Sequence, residues 1–483
     1  MTQDSSKLRA DALRIWQAGL EAVRSERLMH TAVRVEGSTL VIGNAAYEAP
    51  EEFERLDLNS VRRIAVVGAG KAGAGMAAAL EEILGQSLME EKQLVGWVNV
   101  PADCVRQYPS PQPSPARGEG VMRRIHLHAA RPAGINEPTA EGVAGAEEIL
   151  RMVSSLGPDD LCIALISGGG SALLPAPAEG ISLADKLAVT RFLSAAGANI
   201  TELNTVRKQL SRIKGGGLAR VCRASRMIAL IISDIPGDPL DLIASGPTAP
   251  DTSTPQEALA VLEKFPARQA GVPAAVFEAL SRKASAQGQL DQPTCTVQNF
   301  IIGNNAMAVD AAGQQAERLG YIQALTCARK PEGAVEPIGR HLAEMAIHMR
   351  GTPGTNCLIS GGEGTVQLVA EAERGLGGRN QQTVLAALVR LQELNAQNTD
   401  TAANGIVILS GGTDGEDGPT DAAGAMIDSH TAREATRREL NAADFLRRND
   451  AYHFFEPLGG LIQTGPTQTN ACDLRVVLVQ RRE

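Results

Sequence analysis

At 483 residues the chain exceeds one ordinary domain and suits two or three, each large enough to bury its own core. Its net charge of −9 excludes a sequence-independent grip on nucleic acid, which needs clustered excess Lys and Arg. Its seven cysteines form no CxxC pair, which excludes a disulfide framework and indicates reduced thiols in a cytoplasmic protein. The N-terminal stretch MTQDSSKLRADALRIW has neither the apolar segment of a secretion signal nor the Arg-rich character of a transit peptide. No apolar run approaches the ~20 residues that cross a bilayer, so no membrane partner is expected.

Leu13, Trp16, Leu20 and Val23 recur at helical spacing and predict an amphipathic helix over residues 8–25. AVRVEGSTLVIG then alternates around Glu36 and Gly37 as a hairpin does. From Arg63 onward, short Val- and Ile-rich runs end in glycine and lead into Ala- and Leu-rich stretches: IAVVGAGKAG, LCIALISGGGSALL, MIALIISDIPGD, NFIIGNNAMAVDAA, NCLISGGEGTV and GIVILSGGTDGEDG. This texture predicts an α/β fold of βαβ units with mostly parallel sheets buried on both faces. Residues 108–120, YPSPQPSPARGEG, are Pro- and Gly-rich and almost free of apolar side chains, as a disordered surface insertion is. The Ala-, Gln- and Lys-rich stretch over residues 281–293 marks a domain boundary, giving domains over 1–290 and 291–483.

Gly68, Gly70 and Gly73 form a GxGxxG between a strand and a helix, the setting of a dinucleotide fingerprint. The next strand ends in Asn99, Val100 and Pro101, however, rather than in the acid that would hold a ribose. Lys71 inside the turn is more informative, because a cation at the positive end of a helix is placed to meet an anion. No GxxxxGK[ST] occurs, so phosphates need other turns. Ser167, Gly168, Gly169, Gly170 and Ser171 supply consecutive N–H groups at a helix start, either as an oxyanion cradle or as a close-packing turn. Asn304, Gly361 and Glu363 join Gly68 and Gly70 as further phosphate- or substrate-binding candidates at strand ends.

Carboxylates also gather at strand ends: Asp234 and Asp238 in SDIPGDP, and Asp414, Glu416, Asp417 and Asp421 in GGTDGEDGPTD. Mg²⁺ takes one or two protein carboxylates plus phosphate oxygens, which makes Asp238 and Asp414 the metal candidates; an acidic turn without metal is the alternative. Arg379 follows glycines and opens a helix, where its fork can clamp a carboxylate or phosphate. Arg207, Lys208, Arg212 and Lys214 spread over more than one helix face and read mainly as a solvated surface. The histidines show no HExxH and read as structural.

Taken in order, VVGAGKAG, LHAARPAGINEPT, LISGGGSALL, NTVRKQLSRIKGGGLA, SDIPGDPLDLIASGPTAPD, SGGEGTVQL, GGRNQQ, SGGTDGEDGPTDAAGA and TGPTQTNACDL resemble the ATP-dependent glycerate kinases of the MOFRL type, whose bacterial members were formerly often called hydroxypyruvate reductases. The likeness runs from the first helix to Leu474. It implies a Rossmann-like N-terminal domain, a smaller C-terminal α/β domain and an active site in the cleft between them. It also implies transfer of the γ-phosphoryl group of ATP to D-glycerate with Mg²⁺, giving 2-phosphoglycerate, and it places Lys71 and Arg379 in the catalytic machinery with Asp234 beside them. Asp234 can accept the proton of the attacking hydroxyl or bind the metal. The residues leave open phosphorylation at the 3-hydroxyl, and whether the chain is a monomer or a homodimer. A hydroxypyruvate or tartronate reductase using NAD(P)H is the rival enzyme, disfavoured by the missing ribose-binding acid, and a non-catalytic sensor is the rival outside enzymes. The Pro-rich segment is a departure from the family pattern.

Overall fold

The structure, a computed structural model, describes residues 3–44, 48–107, 123–132, 134, 137–285, 295–394 and 403–481. The insertion expected over residues 108–120 lies outside them. The chain packs as two compact units: one comprises Leu28–Ile232 and Pro239–Ile302, the other Met1–Arg27, Ser233–Asp238 and Gly303–Glu483. A single cut at residue 290 therefore separates most, not all, of their residues.

The Leu28–Ile302 unit opens with a small antiparallel sheet of β1 (Val33–Glu36), β2 (Thr39–Ile42) and β3 (Glu54–Asp57); its first turn is the hairpin that alternation around Gly37 predicts. Six further strands follow: β4 (Arg63–Ala69), β5 (Val95–Pro101), β6 (Ile125–Arg131), β7 (Asp160–Ile166), β8 (Arg226–Ile232) and β9 (Thr296–Gly303). They lie in the order β6-β5-β4-β7-β8-β9, and the pairs β4–β5, β4–β7, β5–β6 and β7–β8 are parallel. β7 is buried at every position and β8 at all but its first. Their unbroken apolar runs follow from cover on both faces. This is the doubly wound order, whose direction reverses between β4 and β7, and ligands in such sheets bind beyond the carboxyl ends of the strands at the reversal.

A helical subcore in the same unit joins the helices Leu183–Ala195, Ile200–Gln209, Pro255–Lys264 and Ala274–Ser285 through Val189, Leu193, Val206, Leu262, Val276 and Leu280. Ser182, Asn199 and Thr254 start three of them with reciprocal capping boxes.

The other unit holds β10 (Gln323–Cys327), β11 (Cys357–Gly362), β12 (Ile406–Gly412), β13 (Gly424–Ile427), β14 (Leu461–Ile462) and β15 (Asp473–Val479), ordered β10-β11-β15-β12-β13-β14. The mostly parallel texture expected here is corrected: β15 runs antiparallel to both β11 and β12, and β13 runs antiparallel to β12. Side-chain alternation along β15 sorts its two faces. Leu474, Val476 and Leu478 pack with Leu8, Ala12, Ile15, Trp16 and Leu20 of the first helix, Gln3–Ala22. Val477 and Val479 pack with residues of the helices Val335–Gly351 and Arg379–Leu394. Trp16 adds a bond from its indole N–H to the Gly411 carbonyl, 3.3 Å. No helix among the described residues is long and apolar enough to cross a membrane.

Candidate active site

At the reversal point, the turns after β4 and β7 are knitted together. Lys71 N donates to Gly168 O at 2.9 Å and Ser167 N to Ala69 O at 3.1 Å, while Ala72 N donates to Ser167 Oγ at 3.0 Å. Gly70, at φ +145°, has no room for a side chain against Ser167, and Gly68 has none against the Leu165 carbonyl. Both glycines thus serve close approach of the two turns. Lys71 stands just before Ala72, the N-cap of the helix Gly73–Glu91. Its Cγ and a terminal nitrogen of Arg131 each lie 3.5 Å from where a Cβ on Gly169 would stand. The Lys71 stem and the Arg131 guanidinium therefore both border a left-handed glycine, φ +75°. The helix starting at Gly170 has only four residues.

Ser171 opens a second group. Its Oγ accepts from Arg207 Nη2 at 2.7 Å and from Lys214 Nζ at 2.5 Å, and lies 2.9 Å from Ser245 Oγ. With both lone pairs taken, its proton goes to Ser245. Lys214 Nζ also donates to Ser171 O at 2.8 Å and to Ser245 Oγ at 3.2 Å. Ala244 and Ser245 hold φ +51° and +63°, a costly backbone for residues with a Cβ. It persists because Gly215 N and Gly216 N clamp the carbonyls of Ser245 and Gly246, at 3.0 and 2.7 Å.

The surface expected from Arg207, Lys208, Arg212 and Lys214 is corrected here. Lys208 and Lys214 are buried and Lys208 pairs with Asp241 at 3.1 Å; Arg212 alone stands exposed as expected, paired with an equally exposed Glu147. Burial, then Arg207 and Lys186, lowers the Lys214 pKa well below the ordinary lysine range. Burial, then Arg207 and Lys283, lowers that of Lys186 to about 7.

In the Gly303–Glu483 unit the acids gather around Arg379, the first residue of its helix. Nε and Nη2 donate to Asp473 at 2.8 and 3.0 Å, and Nη1 donates to Glu363 Oε1 at 2.7 Å. The fork expected to grip a ligand is closed on Asp473 instead. Asp473, missed from the sequence, begins β15 opposite Gly362 of β11 and Gly412 of β12, and also accepts from Asn380 Nδ2 at 2.9 Å. Asp417 accepts from Asn380 N and Gln381 N, at 2.9 and 2.8 Å, capping the same helix; burial still pushes its pKa up to about 7.

Burial also raises Glu363; Arg379 pulls it down, Asp473, Asp234 and Asp414 push it up, and the balance rests at about 7. Asp234 accepts from Asn470 Nδ2 at 3.1 Å, and Asp414 Oδ1 from Glu416 N at 3.1 Å. Asp238 accepts instead from Asn304 Nδ2 at 2.7 Å, and Asn304 Oδ1 caps the helix Asn305–Arg318. Gly361 leaves no room for a side chain beside Asn305. Among the described residues, no group of three His, Cys, Asp or Glu is arranged to hold a metal.

The sequence matches a domain of unknown function, DUF4147, over residues 11–281 and the MOFRL family over residues 356–473. It is 34% identical to a glycerate kinase of Danio rerio over 98% of both chains. This chain belongs to the MOFRL-type glycerate kinase family. It is also 31% identical to a glycerate 2-kinase of Pyrococcus horikoshii over 98% of this chain and 97% of that one. The solved glycerate kinase of Thermotoga maritima superposes on this family member with a TM-score of 0.74 at 30% identity, covering 98% of this chain and 100% of that one.

Proposed function

We propose that the chain transfers the γ-phosphoryl group of ATP to the 2-hydroxyl of D-glycerate, giving 2-phosphoglycerate and ADP. The observation that carries this reading is that the side chains of Lys71 and Arg131 both border Gly169 at the strand-order reversal, a place for phosphate oxygens in a doubly wound sheet. The substrate follows from the relatives' names, and the 2-position from that of the Pyrococcus horikoshii relative.

Phosphoryl transfer asks the protein mainly for position and charge neutralisation. Lys71 meets the negative charge spread over the transferring group as its bond to the β-phosphate breaks and the bond to the glycerate oxygen forms. Asp234 takes the proton of that hydroxyl; its carboxylate is held by Asn470. Arg379 keeps Glu363 and Asp473 in place. Glu363 feels three carboxylates, Asp473, Asp234 and Asp414, against one guanidinium, that of Arg379, an excess of negative charge that suits a divalent cation. Asp414 would hold Mg²⁺, with Asp238 as the second candidate, and the ion would neutralise phosphate oxygens when bound. The free cysteines fit a cytoplasmic setting.

The test is ADP release on mixing the chain with ATP, Mg²⁺ and D-glycerate. Enolase alone should then convert the product to phosphoenolpyruvate; a requirement for phosphoglycerate mutase assigns the 3-hydroxyl. No ADP, with glycerate-dependent reduction of NAD, overturns the reading in favour of a reductase.

A further inference from the structure

Lys186, Arg207 and Lys214 form a cation cluster that the phosphate site does not use. The protein has ready means to pair a buried lysine, as Lys208 shows one residue from Arg207, with Asp241 at 3.1 Å and Asp251 at 3.7 Å. Among the described residues, Lys186, Arg207 and Lys214 have no such carboxylate; the charges acting on Lys186 and Lys214 are other cations. The Lys186 ammonium is buried with no hydrogen-bond partner among the described residues. The other two converge on hydroxyls, at Ser171 and Ser245.

Burying like charges together without a counter-ion is costly. A strained loop at Ala244 and Ser245 and the paired turns at Gly215 and Gly216 nevertheless hold the arrangement in place. A bound oxyanion removes the cost, accepting from the Lys186 ammonium, from guanidinium N–H groups of Arg207 and from the Ser245 hydroxyl, while Lys214, whose three N–H groups are held by Ser171 and Ser245, contributes its charge.

We infer that Lys186, Arg207 and Lys214, with Ser171 and Ser245, form the subsite for the carboxylate of the acceptor substrate. This rests on the kinase reading above and deepens it by assigning the acid group of glycerate to residues other than Arg379, whose fork is spent on Asp473. A carboxylate suits the focus of the cluster, since Ser171 Oγ and Ser245 Oγ lie 2.9 Å apart and a planar guanidinium matches two carboxylate oxygens. Nucleotide phosphates carry the same oxyanion chemistry and are the competing source, so the experiment measures both.

The test compares the full chain with Arg207→Lys and Lys186→Met in steady-state kinetics and in calorimetric binding of D-glycerate and of ADP. Arg207→Lys keeps the charge and loses the fork; it should raise KM for D-glycerate by about tenfold or more and leave kcat within about threefold and ADP affinity within about twofold. It should also narrow the parent's preference for D-glycerate over uncharged glyceramide. Lys186→Met removes a cation that anchors nothing by hydrogen bonding, so folding is not at stake, and it should shrink the rise in Tm that D-glycerate produces. An unchanged KM in both variants, with an active parent, overturns the assignment, as does weakened ADP binding with intact glycerate binding, which gives the cluster to phosphate. A parent that forms no ADP from D-glycerate defeats the kinase reading itself, and this result is distinguishable because it appears before any variant is made.

Discussion

The two charged centres solve opposite problems in opposite ways. Around Arg379 the cation is matched by carboxylates: Asp473 takes two N–H groups, Glu363 a third, and the charge left over is negative. Around Ser171, two cations meet neutral hydroxyls and a third, Lys186, has no hydrogen-bond partner among the described residues, so the charge left over is positive. An internally closed ion pair mainly holds structure, whereas leftover buried charge calls for an ion of the other sign. The difference teaches that a helix-opening arginine after glycines is not by itself a ligand clamp, and that lysines spread over several helix faces need not be a wet surface.

The largest effect should come from opening the closed centre. Arg379→Ala leaves Asp473, whose side chain is 2% exposed, and Glu363 without their cation. It should cost about 3–5 kcal/mol of stability and lower the Tm by roughly 10 °C. Raised KM for D-glycerate with an unchanged melting curve would make Arg379 the substrate clamp after all and erase the contrast.

Next is Lys71→Ala, which removes the side chain that borders Gly169. Turnover should fall about a hundredfold, roughly 3 kcal/mol of transition-state stabilisation, with KM much less affected. The Tm should hold or rise slightly, since the lysine stands at the positive end of the helix Gly73–Glu91. Kinetics close to the parent's would reduce the turn to strand-to-helix architecture.

The smallest effect has the opposite sign. Lys186 holds a folded pKa of about 7 against 10.5 for an ordinary lysine, so between these values the unfolded chain binds more protons and stability rises with pH; below 7 the full penalty applies. Lys186→Met should therefore raise the Tm by on the order of 5 °C at pH 6. The gain should shrink steadily as pH climbs toward 10.5. A gain independent of pH would mean that better packing, rather than relieved charge, is responsible, and the unpaired-cation account of this centre would fail.

Much of this was legible in the residues. The runs IAVVG, LCIALI and MIALII became β4, β7 and β8 because a short apolar run that gives way to turn residues has few other uses, and Lys71, Ser171, Glu363 and Asp234 were singled out from their places at strand ends. The direction of β15 was not legible. A strand buried on both faces reads as the same apolar run whether parallel or antiparallel, and Asp473 at its start looked like any polar residue leaving a turn. Its role appears only when β15 lies between β11 and β12 and sets that carboxylate opposite Gly362 and Gly412.

Local sequence thus determined which segments are strands, where they stop and which short turns carry charge, because hydrophobic period, glycine and capping act over a few residues. Partnership was decided by the tertiary structure alone. Whether Arg379 meets a ligand or Asp473, and whether Lys208 or Lys214 finds a carboxylate, depends on groups 30 or more positions away in the chain, as the separations Arg379–Asp473 of 94 and Lys208–Asp241 of 33 record. Electrostatic matching is a property of three-dimensional neighbours, and no periodicity along the chain encodes it.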